Sequence, residues 1–361
     1  MNKYQIKEIK EIYNHAGSKA VEDSFFFAKE VGYEPLYIRQ RVEDTGKVSL
    51  IRNQFGFFLD WFKALIKVEK ASVLLLQNPF KRKHLGRFML LRLFKRIKRL
   101  TIISLIHDVE ELRLSCYREF SKTEFDFMQS NSDYFIVHNK IMKNYFIERG
   151  FSDDSLIELG IFDYGLSDKK DINYKSEEEK SDIVIAGNLD PAKCPYVYKL
   201  FQLENKFTVK LYGPDYKTEL ESEYVEYKGS FPAAEVPYIL NGRFGLIWDG
   251  DNIYKCTGET GNYLQYNNPH KTSLYIVSNI PIIIWEKAAL SGFIKENNLG
   301  ITINNLEEIS GKINAMSEED YTVMKNNVNQ MADRLKTGYF LKKALSSCEE
   351  KIITSWFNKG E

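Results

Sequence analysis

Cysteine is scarce: Cys116, Cys194, Cys256 and Cys348 lie far apart and form neither a CxxC pair nor a zinc spacing. That excludes a disulfide framework. No apolar run approaches the ~18–20 residues that a membrane-spanning helix needs. The opening MNKYQIKEIKE alternates charge and has no apolar segment, so no signal peptide is expected there. Neither sign of charge is in excess, since 50 Lys and Arg meet 50 Asp and Glu. This argues against a general polyanion binder, and nucleic acid is not an expected partner. GxGxxG and Walker A patterns are missing, which leaves the usual dinucleotide fold and the P-loop unsupported. The chain shows no internal repeat and no low-complexity tract. The expected compartment is the cytoplasm.

What is present is a folded-protein composition, 43% hydrophobic and 14% aromatic over 361 residues, enough for two ordinary domains. The balanced charge hides an asymmetry. Residues 1–166 hold 27 basic and 22 acidic side chains, or +5, and residues 167–361 hold 23 and 28, or −5.

Short apolar runs alternate with amphipathic stretches. Pro35–Arg39, Ser72–Gln77, Thr101–Ile106, Tyr134–Val137 and Leu156–Ile161 read as strands. Ser18–Val31, Gly56–Val68, His84–Lys98, Val109–Phe120 and Lys140–Arg149 read as helices. Such alternation implies βαβ units and a parallel sheet. Asp168–Lys180 carries nine charges in thirteen positions and reads as an exposed linker. A second series follows, with strands at Asp182–Ala186, Thr208–Tyr212, Val225–Lys228, Phe244–Trp248, Pro281–Trp285 and Gly300–Ile303. The tail from about Ser317 reads as helical. The expected fold class is α/β, with two doubly wound domains over residues 1–165 and 166–337. A C-terminal helix at 338–361 is expected to pack back towards the first domain. Ligands of such sheets bind beyond the carboxyl ends of the strands, so a site is expected in a cleft between two facing sheets.

The strongest local signal is Asn267-Asn268-Pro269-His270-Lys271-Thr272. Asn268 suits an N-cap and Pro269 a first helical turn. Helix-start N–H groups and the Lys271 ammonium would then make an anion site suited to a diphosphate. The alternative is an ordinary helix start with a solvated lysine. Gly187-Asn188 follows the strand IVIA, where glycine admits a ligand to the backbone and an amide can reach polar groups. Tyr212-Gly213 and Gly229-Ser230 repeat the strand-then-glycine pattern, and Trp248-Asp249-Gly250 ends a buried strand in an acid. In the first half, Gly17 and Ser18 offer a close-approach turn before a helix. His107 and Asp108 follow the strand TIISLI, and either can serve as a general base. Asp108 suits a helix N-cap equally well. His138, ending the next strand, is a weaker candidate. Lys81–Arg99 has nine Lys or Arg and no acid, with Leu85, Met89, Leu93, Ile97 and Leu100 near one helical face. It can lie on an anionic membrane, or turn its apolar face to the core and its basic side to solvent.

The segments Gly17-Ser18-Lys19-Ala20, His107-Asp108-Val109-Glu110, Gly187-Asn188-Leu189, Gly245–Gly250, Asn267–Lys271 and Pro281–Trp285 together resemble a known family. It is the bacterial GT-B glycosyltransferases related to the β-1,6-galactofuranosyltransferases of polysaccharide synthesis. The group includes glucosyltransferases that extend GlcNAc on serine-rich-repeat adhesins. The resemblance implies two Rossmann-like domains, with acceptor held mainly by 1–165 and a UDP-sugar donor mainly by 166–337. By the same resemblance, Gly17, Ser18, Gly187, Asn188 and Asn267 to Lys271 hold UDP. The family's arginine after the Gly-Asn-Leu turn is not evident, and Lys193 is the nearest cation. Asp249-Gly250-Asp251 matches an Asp-x-Asp metal motif of another glycosyltransferase fold, but GT-B enzymes usually need no metal at the diphosphate. The function expected is transfer of galactofuranose or glucose to a glycan hydroxyl on a lipid or protein, by direct displacement, with no cofactor. The alternatives are a non-hydrolysing UDP-sugar epimerase and a non-catalytic UDP-sugar-binding subunit. Peripheral contact with the inner membrane face through Lys81–Arg99 is a further expectation, and self-association is left open.

Overall fold

Continuous aliphatic and β-branched runs form strands buried on both faces, as parallel sheets require. In a computed structural model, the chain is described over residues 1–9, 19–39, 46–80, 82–113, 118–166, 181–204, 206–217 and 223–358. Gly17, Ser18, Lys81, Cys116 and the charged stretch 168–180 lie outside the described residues. Two units emerge, one of residues 1–159 with 341–361 and the other of residues 160–340.

The first unit runs β1 (Lys3–Ile9), α1 (Lys19–Glu30), β2 (Tyr33–Arg39), α2 (Lys47–Lys67), β3 (Val73–Asn78), α3 (Arg87–Lys98) and β4 (Thr101–Ile106). It continues through α4 (Arg118–Asn131), β5 (Tyr134–Val137), α5 (Lys140–Glu148) and β6 (Leu156–Glu158). All strand pairs are parallel, in the order β2-β1-β3-β4-β5-β6. Three sequence expectations need correction. β1, KYQIKEI, is a strand, because distant partners absorb its polar side chains. Gln5 is buried and donates to the Phe25 and Tyr33 carbonyls at 3.1 and 3.0 Å. Lys7 pairs with Glu22, and Lys3 with Glu349 of the C-terminal helix at 3.1 Å. α2 begins at Lys47 rather than Gly56, its glycine being tolerated inside the helix. Val109–Arg113, expected to open a helix running to Phe120, is not helical. A single turn follows β4, with the Leu112 and Arg113 amides bonded to the Val109 carbonyl at 2.9 and 3.2 Å, and the long helix starts at Arg118.

The second unit runs β7 (Ser181–Ala186), β8 (Val209–Tyr212), β9 (Val225–Gly229), α6 (Val236–Ile239), β10 (Gly242–Ile247), α7 (Gly258–Tyr263) and α8 (His270–Val277). β11 (Ile282–Trp285), α9 (Ser291–Glu296), β12 (Gly300–Ile303), α10 (Glu308–Asn314) and α11 (Glu318–Lys336) complete it. Its parallel sheet has the order β12-β11-β10-β7-β8-β9, so the strand order reverses between β7 and β10. That switch point is where doubly wound sheets bind ligands. The unit boundary falls in α12 (Tyr339–Asn358), whose Glu349 also accepts from the Tyr33 hydroxyl at 3.1 Å and whose Lys342 pairs with Glu30 at 2.7 Å. Among the described residues, no helix is long and apolar enough to cross a membrane. Cys194, Cys256 and Cys348 are free and buried, and burial pushes the Cys194 thiol up to about 12.

Candidate active site

Three strands deliver polar turns to neighbouring positions at the switch point of the second sheet. After β7, Gly187 takes φ +146° and donates its amide to the Tyr212 carbonyl at 3.0 Å. Beyond β8, Gly213 must be glycine, because a Cβ there would sit 1.7 Å from the Gly187 carbonyl oxygen. A Cβ on Gly187 would meet nothing within 4 Å, so space lies open at that turn. Asn188 donates to Asp215 at 3.0 Å and accepts from the Asp190 amide at 2.9 Å, which holds the turn in shape. Tyr212 is buried and tilted against Phe231, while Lys193 and Ser230 are exposed.

The turn after β10 carries Asp249 to the start of α8. Lys271 donates to the Trp248 carbonyl and to Asp249, each at 3.0 Å. Its ammonium is thus held in place, not loosely solvated. Asp251 accepts from the Thr257 hydroxyl at 2.6 Å, a hydrogen bond that lowers its pKa. Asp249 and Asp251 therefore serve separate partners. A Cβ on Gly250 would lie 2.1 Å from the Thr257 carbonyl, which packs that loop tightly.

The Asn267–Thr272 segment divides its labour in a way its sequence does not display. The N-cap of α8 is Pro269, with no side-chain cap, rather than Asn268. Asn268 is buried and its Nδ2 donates to the Gly160 carbonyl at 2.8 Å. His270 reaches the Asp163 carbonyl at 3.3 Å and stacks on Tyr164, centroids 4.9 Å apart. Ser273 donates to the Phe162 carbonyl at 2.5 Å. These three side chains clamp residues 160–164 beneath the helix. Asn267 Oδ1 and Thr272 Oγ1 are buried without a hydrogen-bond partner, and Lys271 is the half-buried cation of that turn.

Tyr275 is a site residue that sequence reasoning missed. Its buried hydroxyl accepts from the Ala186 amide at 2.8 Å and braces the end of β7 just before Gly187. Its ring fills the place of a side chain at Gly245, where a Cβ would be 2.3 Å from ring carbons. A glycine inside the buried run FGLIW was the available signal. A recess lined by Leu200, Phe207, Val209 and Tyr224 is at the other end of the sheet, by the amino ends of β8 and β9.

In the first unit, His107 Nε2 lies 2.7 Å from Gln77 Oε1 and its amide is bonded to the Asn78 carbonyl. Asp108 pairs with Arg113 at 3.0 Å and starts no helix, so the capping alternative is not realised. It lines a shallow recess with Asn78, Pro79, Ser121 and Glu124. His138 is buried against the Ile106 carbonyl at 3.1 Å, and burial lowers its pKa to about 4.

Two Rossmann-like parallel sheets in one chain, the second with close-approach glycines and a held lysine at its switch point, are the architecture of the GT-B fold. The structure of HepE from Anabaena in complex with UDP-glucose matches with a TM-score of 0.61 at 10% identity, over 96% of this chain and 99% of that one. Residues 3–161 match the family described as glucosyltransferase 3-like, N-terminal domain, and residues 183–348 match its C-terminal domain. The β-1,6-galactofuranosyltransferase WbbI of Escherichia coli K12 is 30% identical over 351 residues, 94% of this chain and 96% of that protein. Glucosyltransferase 3 of Streptococcus gordonii is 23% identical over 254 residues, 70% and 72% of the two chains. The chain belongs to the glucosyltransferase 3-like family of glycosyltransferases.

Proposed function

We propose that the chain transfers a hexose, galactofuranose or glucose, from a UDP-sugar to a glycan hydroxyl on a lipid- or protein-linked acceptor. The observation that carries this reading is Lys271, held by Trp248 and Asp249 at the uncapped start of α8, at the switch point where Gly187 leaves the backbone open. A diphosphate can compete with Asp249 for that ammonium and take amide hydrogen bonds from the helix start. Family relatives are named for galactofuranosyl and glucosyl transfer, and HepE of the same fold was crystallised with UDP-glucose.

In this reading the 160–340 unit holds the donor and the 1–159 unit the acceptor. The acceptor oxygen attacks the anomeric carbon as the bond to the UDP oxygen breaks. Lys271 and the helix dipole stabilise the negative charge on the departing UDP. Asp108, or in its place His107, takes the hydroxyl proton. No cofactor or metal is needed, the charge being met by Lys271. Gly17 and Ser18 belong to the donor contacts by family resemblance. The enzyme works in the cytoplasm, with Lys81–Arg99 against the anionic inner membrane face. The test is incubation with UDP-glucose or UDP-galactofuranose and lipid- or peptide-linked glycans, read by mass spectrometry. Acceptor-dependent UDP release with a glycan heavier by one hexose is expected. A changed UDP-sugar without acceptor, or UDP binding with no transfer to any acceptor, would overturn the reading.

A further inference from the structure

α2 is apolar on two opposite faces. Its inner face, Phe57, Trp61, Ala64 and Leu65, is buried in the core of the first unit. Its outer face carries Val48, Ile51, Phe55, Leu59, Phe62 and Ile66, which are 36–81% exposed. At 100° per residue these six fall within a stripe of about 80°. A helix covering a sheet needs only its inner face apolar, and its outer face ordinarily carries charge. α3 repeats the pattern. It buries Arg87, Leu90, Leu91 and Phe94 and leaves Met89, Leu93 and Ile97, with Leu85 just before it, 46–57% exposed. Of the apolar stripe read from the sequence, Leu85, Met89, Leu93 and Ile97 therefore face outward, contrary to the core-facing alternative, and Leu100 alone is buried.

The two helices adjoin. Phe62 of α2 meets Phe94 of α3 edge to face, with centroids 6.1 Å apart. Gln54 binds the backbone of Lys83 and Leu85 at 3.1 and 2.9 Å. Lys98 donates to the carbonyls of Leu65 and Ile66 at the end of α2. Exposed apolar side chains in this number on two neighbouring helices mark an interaction site. Arg52 and Lys63 flank it on α2, and Arg92, Arg96 and Arg99 on α3, all exposed. Between residues 51 and 100 the chain has 13 Lys and Arg against two acids, Asp60 and Glu69. A second copy of the chain is a poor occupant, because a two-fold contact would set the same cations against each other. An anionic bilayer meets both features, with acyl chains for the stripes and phosphates for the cations.

We propose that α2 and α3 form one membrane-docking surface, in which the outer stripe of α2 inserts at the acyl boundary while the cations of α3 engage anionic headgroups. This rests on the peripheral-contact reading above and adds apolar insertion by a helix outside Lys81–Arg99. Insertion gives binding a component that salt does not screen. The test is co-sedimentation of the full chain with vesicles of phosphatidylcholine, alone or mixed with phosphatidylglycerol, at low and high salt. Wild type should bind the mixed vesicles and keep a measurable bound fraction at high salt. Ile51→Ser with Phe55→Ser and Ile66→Ser, all at exposed positions, should lose that fraction, partition falling at least about tenfold. Arg92→Gln with Arg96→Gln should weaken low-salt binding by about 30-fold and keep the salt-resistant part. Unchanged partition of the serine variant at both salts would sink insertion by α2 and leave the basic-helix reading standing. Wild type binding neither vesicle would sink both. Wild-type oligomers that the serine variant dissolves, without vesicle binding, would make the face a self-interface. Should the triple variant fail to fold by melting, Phe55→Ser alone in the same assay decides the point.

Discussion

At the residue scale, the chemistry turns on which group holds each charge. Lys271 is legible in the sequence as a cation at a helix start, but its tie to Asp249 is not, since the two lie 22 positions apart. The same holds for Asn268 and His270, whose partners Gly160 and Asp163 are 108 and 107 positions away. Charged hydrogen bonds are worth on the order of 1.5–3 kcal/mol. Lys271→Ala should therefore weaken UDP binding roughly 10- to 100-fold by calorimetry, with the fold intact. An unchanged affinity would remove Lys271 from the donor site. For the acceptor side, Asp108→Asn keeps the shape and loses the proton acceptor. Turnover should drop by ~10²–10⁴ with UDP affinity unchanged. If instead His107→Ala abolishes turnover and Asp108→Asn does not, the base is His107.

At the scale of elements, α3 is docked by an unusual device, a buried arginine. Arg87 is 2% exposed, lies over the rings of Phe80 and Phe88 at 4.2 and 4.8 Å, and pairs with Glu124 of α4. Burial raises the Glu124 carboxyl to about 7 although Arg87 pulls it down. Burial likewise lowers the Arg87 pKa, and its Nη1 has no hydrogen-bond partner. Removing one member strands the other in an apolar setting. Glu124→Ala should cost about 3–5 kcal/mol of unfolding free energy, whereas Arg87→Met with Glu124→Leu should cost much less. Chemical denaturation of the two variants checks the difference, and equal losses would mean that the pair itself supplies the stability. Sequence periodicity showed α3 as amphipathic but assigned Arg87 to no role, because only α4 and two phenyl rings make its burial tolerable.

At the scale of the whole molecule, pH reports on the buried histidine. The folded chain holds His138 neutral down to about pH 4, while the unfolded chain protonates it near 6.5. Between those values the unfolded state binds the extra proton, so stability falls as pH falls, by up to roughly 3 kcal/mol in total. Glu124 titrates in the opposite sense, its raised pKa making stability fall as pH rises from about 4.5 to 7. The difference between wild type and His138→Gln isolates the histidine, since Glu124 is common to both. That difference should shrink with acidification from 6.5 to 4, measured as unfolding free energy against pH. A constant difference would mean that His138 titrates normally. The charge asymmetry read from composition also finds a location, since the positive excess of the first half is concentrated on α2, α3 and the segment joining them.

The sequence by itself determined the α/β alternation, because buried parallel strands are apolar runs that local composition exposes. Thr101–Ile106, Tyr134–Val137 and Gly300–Ile303 were readable to the residue. It also determined the glycine turns after β7 and β8, where a positive φ excludes most other residues. Tertiary structure alone decided that KYQIKEI is a strand, that Val109–Arg113 is a turn, that Asn268 fastens Gly160, and that most of the apolar stripes of α2 and α3 face outward. The physical reason is common to all four. Local pattern records what a segment can bury or bond, but the partner that uses it arrives from far along the chain.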